Sequence, residues 1–102
     1  MNQTTPVTTV SDIKVEIYSS HYCGYCIRAK ALLDRKAVPY TEYFIDDQPE
    51  LRPLMIERAE GRRTVPQIFI NDRPIGGCED LYLLERRGLL DGLLGRGEQQ
   101  PD

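Results

Sequence analysis

Two thiols stand in the run Cys23-Gly24-Tyr25-Cys26, directly after an alternating apolar stretch and directly before a helix-patterned one. The spacing sets them one helical turn apart at a helix N-terminus. The free backbone N–H groups and the dipole of a helix start favour a thiolate, lowering a cysteine pKa from about 8.5 into a range of roughly 3.5 to 7.5. Cys23 is therefore the expected attacking thiolate, and Cys26, held behind it on the helix, the thiol that resolves the mixed disulfide. The chemistry this implies is thiol-disulfide exchange.

Two further segments carry chemistry. Thr64-Val65-Pro66 precedes a short apolar run. An X-Pro bond loses only about 0.5 to 1 kcal/mol in going cis. A cis Val65-Pro66 peptide would turn the backbone of Val65 into an open groove, where an extended peptide can pair with it as an added strand. A proline at the first position of a strand is the plainer reading, and the nearby thiol pair favours the cis one. The second segment, Gly76-Gly77-Cys78-Glu79-Asp80, is a glycine-rich turn into a helix pattern. Small residues let a ligand approach the backbone, the helix start offers N–H groups to a carboxylate, and Asp80 offers an acceptor to an ammonium. Together these match an α-amino acid head.

The elements that must position these groups follow from periodicity. Residues 1–11 are polar and Thr-rich and read as a disordered lead, with the domain over residues 12–95 and a loose polar tail over residues 96–102. Ile13, Val15 and Ile17 alternate with Lys14 and Glu16, the period of a strand that Tyr18 extends. Cys26, Ala29, Leu32 and Leu33 mark an amphipathic helix to about residue 36, which Pro39 stops from continuing. Residues 40–45 form a second strand. Residues 49–60 form a helix with an irregular start at Pro53 and an end at Gly61. Residues 67–70 and 73–76 form a hairpin around Asn71-Asp72, and residues 79–87 a last helix. Leu89, Leu90, Leu93 and Leu94 add one short amphipathic turn. The order β-α-β-α-β-β-α, with the thiol pair at the first strand-to-helix junction, is that of an α/β thioredoxin fold: a central four-stranded mixed sheet flanked by helices.

The chain of 102 residues suits one core, and its net charge of -3 gives no general attraction to nucleic acid or to an anionic membrane. No apolar run approaches the ~20 residues that span a bilayer, and no secretory leader is visible. The cytoplasm is the expected compartment. Three cysteines speak against a secreted disulfide scaffold.

The three motifs in this order, C-G-Y-C, T-V-P-Q-I-F-I and I-G-G-C-E-D-L, resemble those of the glutaredoxins, most of all the bacterial glutaredoxin 3 type. The likeness runs from about Ile13 to Leu90. It implies an oxidoreductase that uses glutathione to reduce protein disulfides and glutathionylated proteins, monomeric, with glutathione reductase as its indirect partner. By the same match Cys23 is nucleophile and Cys26 resolving thiol, while Tyr25, Thr64, Val65, Pro66, Gly77, Cys78, Glu79 and Asp80 line the glutathione groove. Many family members carry proline where this chain has Gly24, and lysine where it has Ser20. The first change loosens the helix start by about 0.4 to 1 kcal/mol, a shift of at most a few tens of millivolts. The second removes a cation that would meet a glutathione carboxylate, and Arg52 is the expected substitute among Arg52, Arg62 and Arg63.

The remaining residues have plainer readings. His21 is an exposed loop residue, Arg62-Arg63 a solvated pair, and Cys78 a groove-lining thiol with a third redox role as the alternative. A competing function is a [2Fe-2S] carrier, a dimer bridged through Cys23 and glutathione, because the small Gly24 resembles the cluster-binding members. A zinc site would need Cys78 and His21 to join the pair at unsuitable spacing. The chain has no Trp, so the tryptophan usual before a thioredoxin motif is absent.

Overall fold

The computed structural model describes residues 13–95, so the readings for residues 1–11 and 96–102 lie outside the described residues. The elements run β1 (Val15–Ser19), α1 (Gly24–Arg35), β2 (Thr41–Phe44), α2 (Leu51–Arg58), β3 (Gln67–Ile70), β4 (Arg73–Gly76), α3 (Cys78–Arg86) and α4 (Leu90–Leu93). Four strands form one mixed sheet in the order β2-β1-β3-β4. β1 pairs parallel with β2 and antiparallel with β3, and β3 pairs antiparallel with β4. This is the thioredoxin-fold arrangement expected from the element order.

Helices cover both faces of the sheet. Val15 and Ile17 of β1 and Ile68 and Ile70 of β3 pack with Ala29, Leu32 and Leu33 of α1, Leu81 of α3 and Leu90 of α4. Tyr18 and Phe69 point the other way, onto Met55 of α2 and Ala59 just after it. The alternation in β1 predicted one polar face, and here the structure differs: every residue of β1 is buried. Glu16 is tolerated because Arg58 reaches across from α2 and donates to it at 2.8 Å, with the Tyr43 hydroxyl donating at 2.9 Å. A buried charge persists only when so paired. Burial alone would raise the Glu16 carboxyl, but these hydrogen bonds outweigh it and hold it below its ordinary range.

The local rules also explain where elements stop. Asn71 and Asp72 both take positive φ, 51° and 67°, the backbone of a tight two-residue hairpin. α2 begins two residues later than predicted, which leaves Pro53 in the first turn, where no N–H is needed. Its end is a Schellman motif: the Glu60 N–H donates to the Glu57 carbonyl and the Gly61 N–H to the Ile56 carbonyl. The left-handed residue demanded at that cap is Glu60 (φ 58°), not the glycine that the sequence suggested. Lys36 then ties the end of α1 to α3 and α4 through Glu85 at 2.7 Å and Asp91 at 3.0 Å.

Candidate active site

The site is built where β1 hands the chain to α1. Cys23 is the N-cap residue of α1, in extended conformation (φ -140°, ψ 103°), and the Cys26 N–H points at its Sγ from 3.1 Å. Cys23 and Cys26 are joined as a disulfide, with Cα atoms 5.2 Å apart. The two sulfurs are unequal: Cys23 is half-buried, whereas Cys26 is only 1% exposed among the α1 residues that face the core. An incoming group can therefore reach Cys23 and not Cys26.

The loop before Cys23 is held by carboxylates on the β2 side. Asp46 Oδ2 accepts the Ser20 hydroxyl at 2.7 Å and the His21 N–H at 2.9 Å, and the Ser20 bond holds the Asp46 carboxyl below its ordinary range. Ser20 thus serves as a tether. The His21 ring stacks on Phe44 at 4.2 Å and meets Asp47 at 3.0 Å, so it is engaged away from the thiols.

Two other segments complete the site, one of them directly beside Cys23. The Val65-Pro66 peptide is cis, and the Val65 carbonyl oxygen lies 3.9 Å from Cys23 Sγ. Gln67, wholly buried at the start of β3, donates to the Thr64 carbonyl at 2.9 Å and so fixes the approach to that peptide. Its role went unread in the sequence, where it is simply a polar residue opening an apolar run. At the start of α3, Asp80 accepts the Gly77 N–H at 2.8 Å and pairs with Arg62 at 3.0 Å. A side chain at Gly76 (φ +114°) would collide with that carboxylate and that guanidinium, so glycine is required there. Burial raises the Cys78 thiol above its ordinary range, which keeps it protonated at neutral pH.

These segments enclose a cleft of about 450 Å³. α1 contributes Tyr25; the segment before β3 contributes Arg62, Thr64, Val65 and Pro66; the start of α3 contributes Gly77, Cys78, Glu79 and Asp80. The motifs read as separate stretches of sequence are therefore brought together. Arg52 is not among the lining residues. Its guanidinium donates to the Arg63 backbone carbonyl at 2.5 Å. The cation in the cleft is Arg62, which the sequence reading ranked below Arg52 and read most simply as half of a solvated pair with Arg63.

The family model for glutaredoxin matches residues 15–75. The chain belongs to the glutaredoxin family. This glutaredoxin is 56% identical over 80 residues to glutaredoxin 3 of Escherichia coli K12, a match covering 78% of this chain and 95% of that one. It is 59% identical over 81 residues to a probable glutaredoxin of Synechocystis sp., covering 79% and 74%. Among solved structures, the buckwheat glutaredoxin-glutathione complex superposes with a TM-score of 0.76 at 30% identity, over 89% of this chain and 84% of that one. As a family member the chain is a thiol-disulfide oxidoreductase, and its accessible Cys23 backed by shielded Cys26 is the geometry such exchange requires. Among the described residues, no group of three or more His, Cys, Asp or Glu side chains converges to hold a metal ion. No helix among them is long and apolar enough to cross a membrane.

Proposed function

We propose that this glutaredoxin reduces glutathionylated proteins and protein disulfides with glutathione as its reductant, working in the cytoplasm. The observation that carries the reading is a cleft that holds the Arg62–Asp80 pair and whose Val65 wall has its carbonyl oxygen 3.9 Å from Cys23 Sγ. Its chemistry suits a tripeptide with a thiol in the middle and a free amino acid head at one end. The Val65 backbone pairs with the cysteinyl residue, Asp80 takes the ammonium of the γ-glutamyl head and Arg62 its α-carboxylate. Tyr25, Thr64 and Pro66 form the walls, and Gly77, Cys78 and Glu79 bring the head against the start of α3.

In this mechanism the Cys23 thiolate, favoured by the Cys26 N–H and the helix start, attacks the glutathionyl sulfur of the substrate. The S–S bond of the substrate breaks, the protein leaves as a thiolate, and Cys23 carries the glutathionyl group. A second glutathione thiolate attacks that group, releasing glutathione disulfide and restoring Cys23. With a protein disulfide, Cys23 forms a mixed disulfide with the protein instead. Cys26 then attacks the Cys23 sulfur, closing the Cys23–Cys26 bond and expelling the reduced protein, and two glutathiones reopen that bond. Turnover of a glutathionylated small disulfide, coupled to glutathione reductase and NADPH, tests the reading. Glutathione-dependent NADPH consumption is expected, and equal turnover with thioredoxin reductase in place of glutathione would overturn it.

A second reading, a [2Fe-2S] carrier bridged through Cys23 and glutathione, is favoured by the open space at Gly24, where an added Cβ would meet nothing within 4 Å. The half-buried Cys23 sulfur is a suitable thiolate donor for such a cluster. Anaerobic reconstitution with iron, sulfide and glutathione decides it: a coloured dimer supports the carrier role, a colourless monomer removes it.

A further inference from the structure

Behind the cleft lies a second cavity, of about 280 Å³, between α1 and α3. Arg28 of α1 and Arg86 and Tyr82 of α3 line it, and Cys78 and Glu79 form the wall it shares with the cleft. The Arg28 guanidinium sits 5.1 Å from the centre of the Tyr82 ring, and the Tyr82 hydroxyl donates back to the Arg28 carbonyl at 3.0 Å. Stacking of this kind holds a guanidinium plane still while leaving its N–H edges free. Arg35, two turns further along α1, donates to the same hydroxyl at 3.5 Å.

Lys14, Lys30, Lys36, Arg58 and Arg62 each have a carboxylate partner. Among the described arginines that form no ion pair, Arg28, Arg35 and Arg86 are set apart from Arg52, Arg63, Arg73 and Arg87 by meeting at Tyr82 and the cavity beside it. A protein of net charge -3 thus gathers three unpaired guanidinium groups around one tyrosine. Two of them face into a concave space, where planar donors grip a carboxylate best. Glu79, at the shared wall, forms an ion pair with neither arginine and offsets part of their charge, leaving the cavity lining a net excess of one positive charge.

We propose that this cavity is an exosite for the protein substrate: an Asp or Glu side chain near the substrate's disulfide-bearing cysteine seats its carboxylate between Arg28 and Arg86. The occupant is a polypeptide segment because the cavity shares Cys78 and Glu79 with the cleft that glutathione fills, so the protein half of a mixed disulfide at Cys23 lies outside the cleft and within reach of the cavity. That part of the argument rests on the function proposed above. The exosite makes the enzyme selective among proteins without touching the thiol chemistry.

The test compares two glutathionylated peptides of the same length, one bearing glutamates beside its cysteine and one with glutamines in their place. The wild-type enzyme is expected to prefer the acidic peptide by about tenfold in kcat/KM, the scale of one charge-assisted pair, with the preference shrinking as salt is raised. Arg28→Gln and Arg86→Gln, both at exposed positions, should each remove most of that preference while leaving turnover of a glutathionylated small disulfide unchanged. Equal losses on all substrates, or no acidic preference in the wild type, would overturn the proposal. Binding of the unreactive acidic peptide, followed by amide NMR shifts around Arg28 and Arg86, needs no turnover and so separates failure of the exosite from failure of the redox reading. Shifts produced by inorganic phosphate and not by that peptide would mark a small-anion site and also refute it.

Discussion

Asp80→Asn isolates one charge in the cleft. Asparagine is nearly isosteric and its carbonyl can still accept the Gly77 N–H, which Asp80 accepts at 2.8 Å, so the start of α3 stays capped. In the free protein the substitution loses the Arg62 pair, but the two side chains are 51% and 43% exposed, and a pair so solvated contributes at most about 1 kcal/mol. Folding stability should therefore hardly change. With ligand bound the loss is larger. A hydrogen bond to a charged group contributes about 1.5 to 3 kcal/mol and a neutral one about 0.5 to 1.5. Discounted for the open cleft, the difference is about 1 kcal/mol, or roughly a fivefold rise in KM for a glutathionylated substrate. The kcat should stay within about twofold, because the substitution touches neither sulfur. Steady-state turnover coupled to glutathione reductase measures both constants. Arg62→Gln should raise KM similarly, and the double variant should fall short of the sum, since the two groups share a partner. A substrate whose γ-glutamyl amine is replaced by hydrogen should erase the gap between the wild type and Asp80→Asn. A fall in kcat at constant KM, or a gap that persists with the deaminated substrate, refutes the assignment of Asp80 to the ammonium.

Cys26→Ser should spare deglutathionylation and abolish reduction of protein disulfides, because Cys26 acts only after Cys23 has joined to a protein sulfur; equal loss of both activities in parallel assays would contradict this division. Glu16→Gln should lower stability at pH 7 by about 2 kcal/mol, the scale of a hydrogen-bonded charge, and the melting temperature by about 10 °C. Because the folded Glu16 carboxyl lies below its ordinary value of 4.5, its contribution is complete above that value and fades as pH falls through the lowered one. The gap between wild type and Glu16→Gln, read from urea melts, should accordingly narrow below about pH 4.5, and a gap independent of pH would sink the argument.

The features legible in the sequence are those whose causes are local. Cys23 caps α1 because the thiol run lies at a junction between two periodicities, and the hairpin at Asn71-Asp72 follows from the left-handed backbone those two residues accept. The strands of that hairpin fall where the pattern put them, at Gln67–Ile70 and Arg73–Gly76. Helix ends were read less well for a definite reason. Glycine is the residue least resisted at a left-handed cap, yet Ala37 and Glu60 occupy such positions (both φ 58°) while Gly61 follows one residue later. The bonds closing the Schellman motif at Glu60, together with packing beyond it, outweigh a cost of roughly 1 kcal/mol for a non-glycine residue there.

Charges were the hardest to place, since a charged side chain finds its partner through the fold and not through its neighbours in sequence. Glu16 sits in an alternating pattern that predicts exposure, and only the docking of α2 brings Arg58 over the Phe69 ring, 4.2 Å from its centre, to meet Glu16 inside. The sequence reading preferred Arg52 to Arg62 for the cleft, although both lie upstream of Thr64 with no local feature to rank them. The fold ranks them: α2 turns Arg52 onto the Arg63 carbonyl, and the chain leaving α2 carries Arg62 to Asp80. The same dependence explains Arg28 and Arg86. Along the sequence they are ordinary basic residues of amphipathic helices. They become a candidate site only because α1 and α3 lie side by side with Tyr82 between them, two arginines facing the single carboxylate of Glu79 across one cavity. Motifs therefore locate the reacting sulfur, while the pairing of charges across elements determines which substrates it meets.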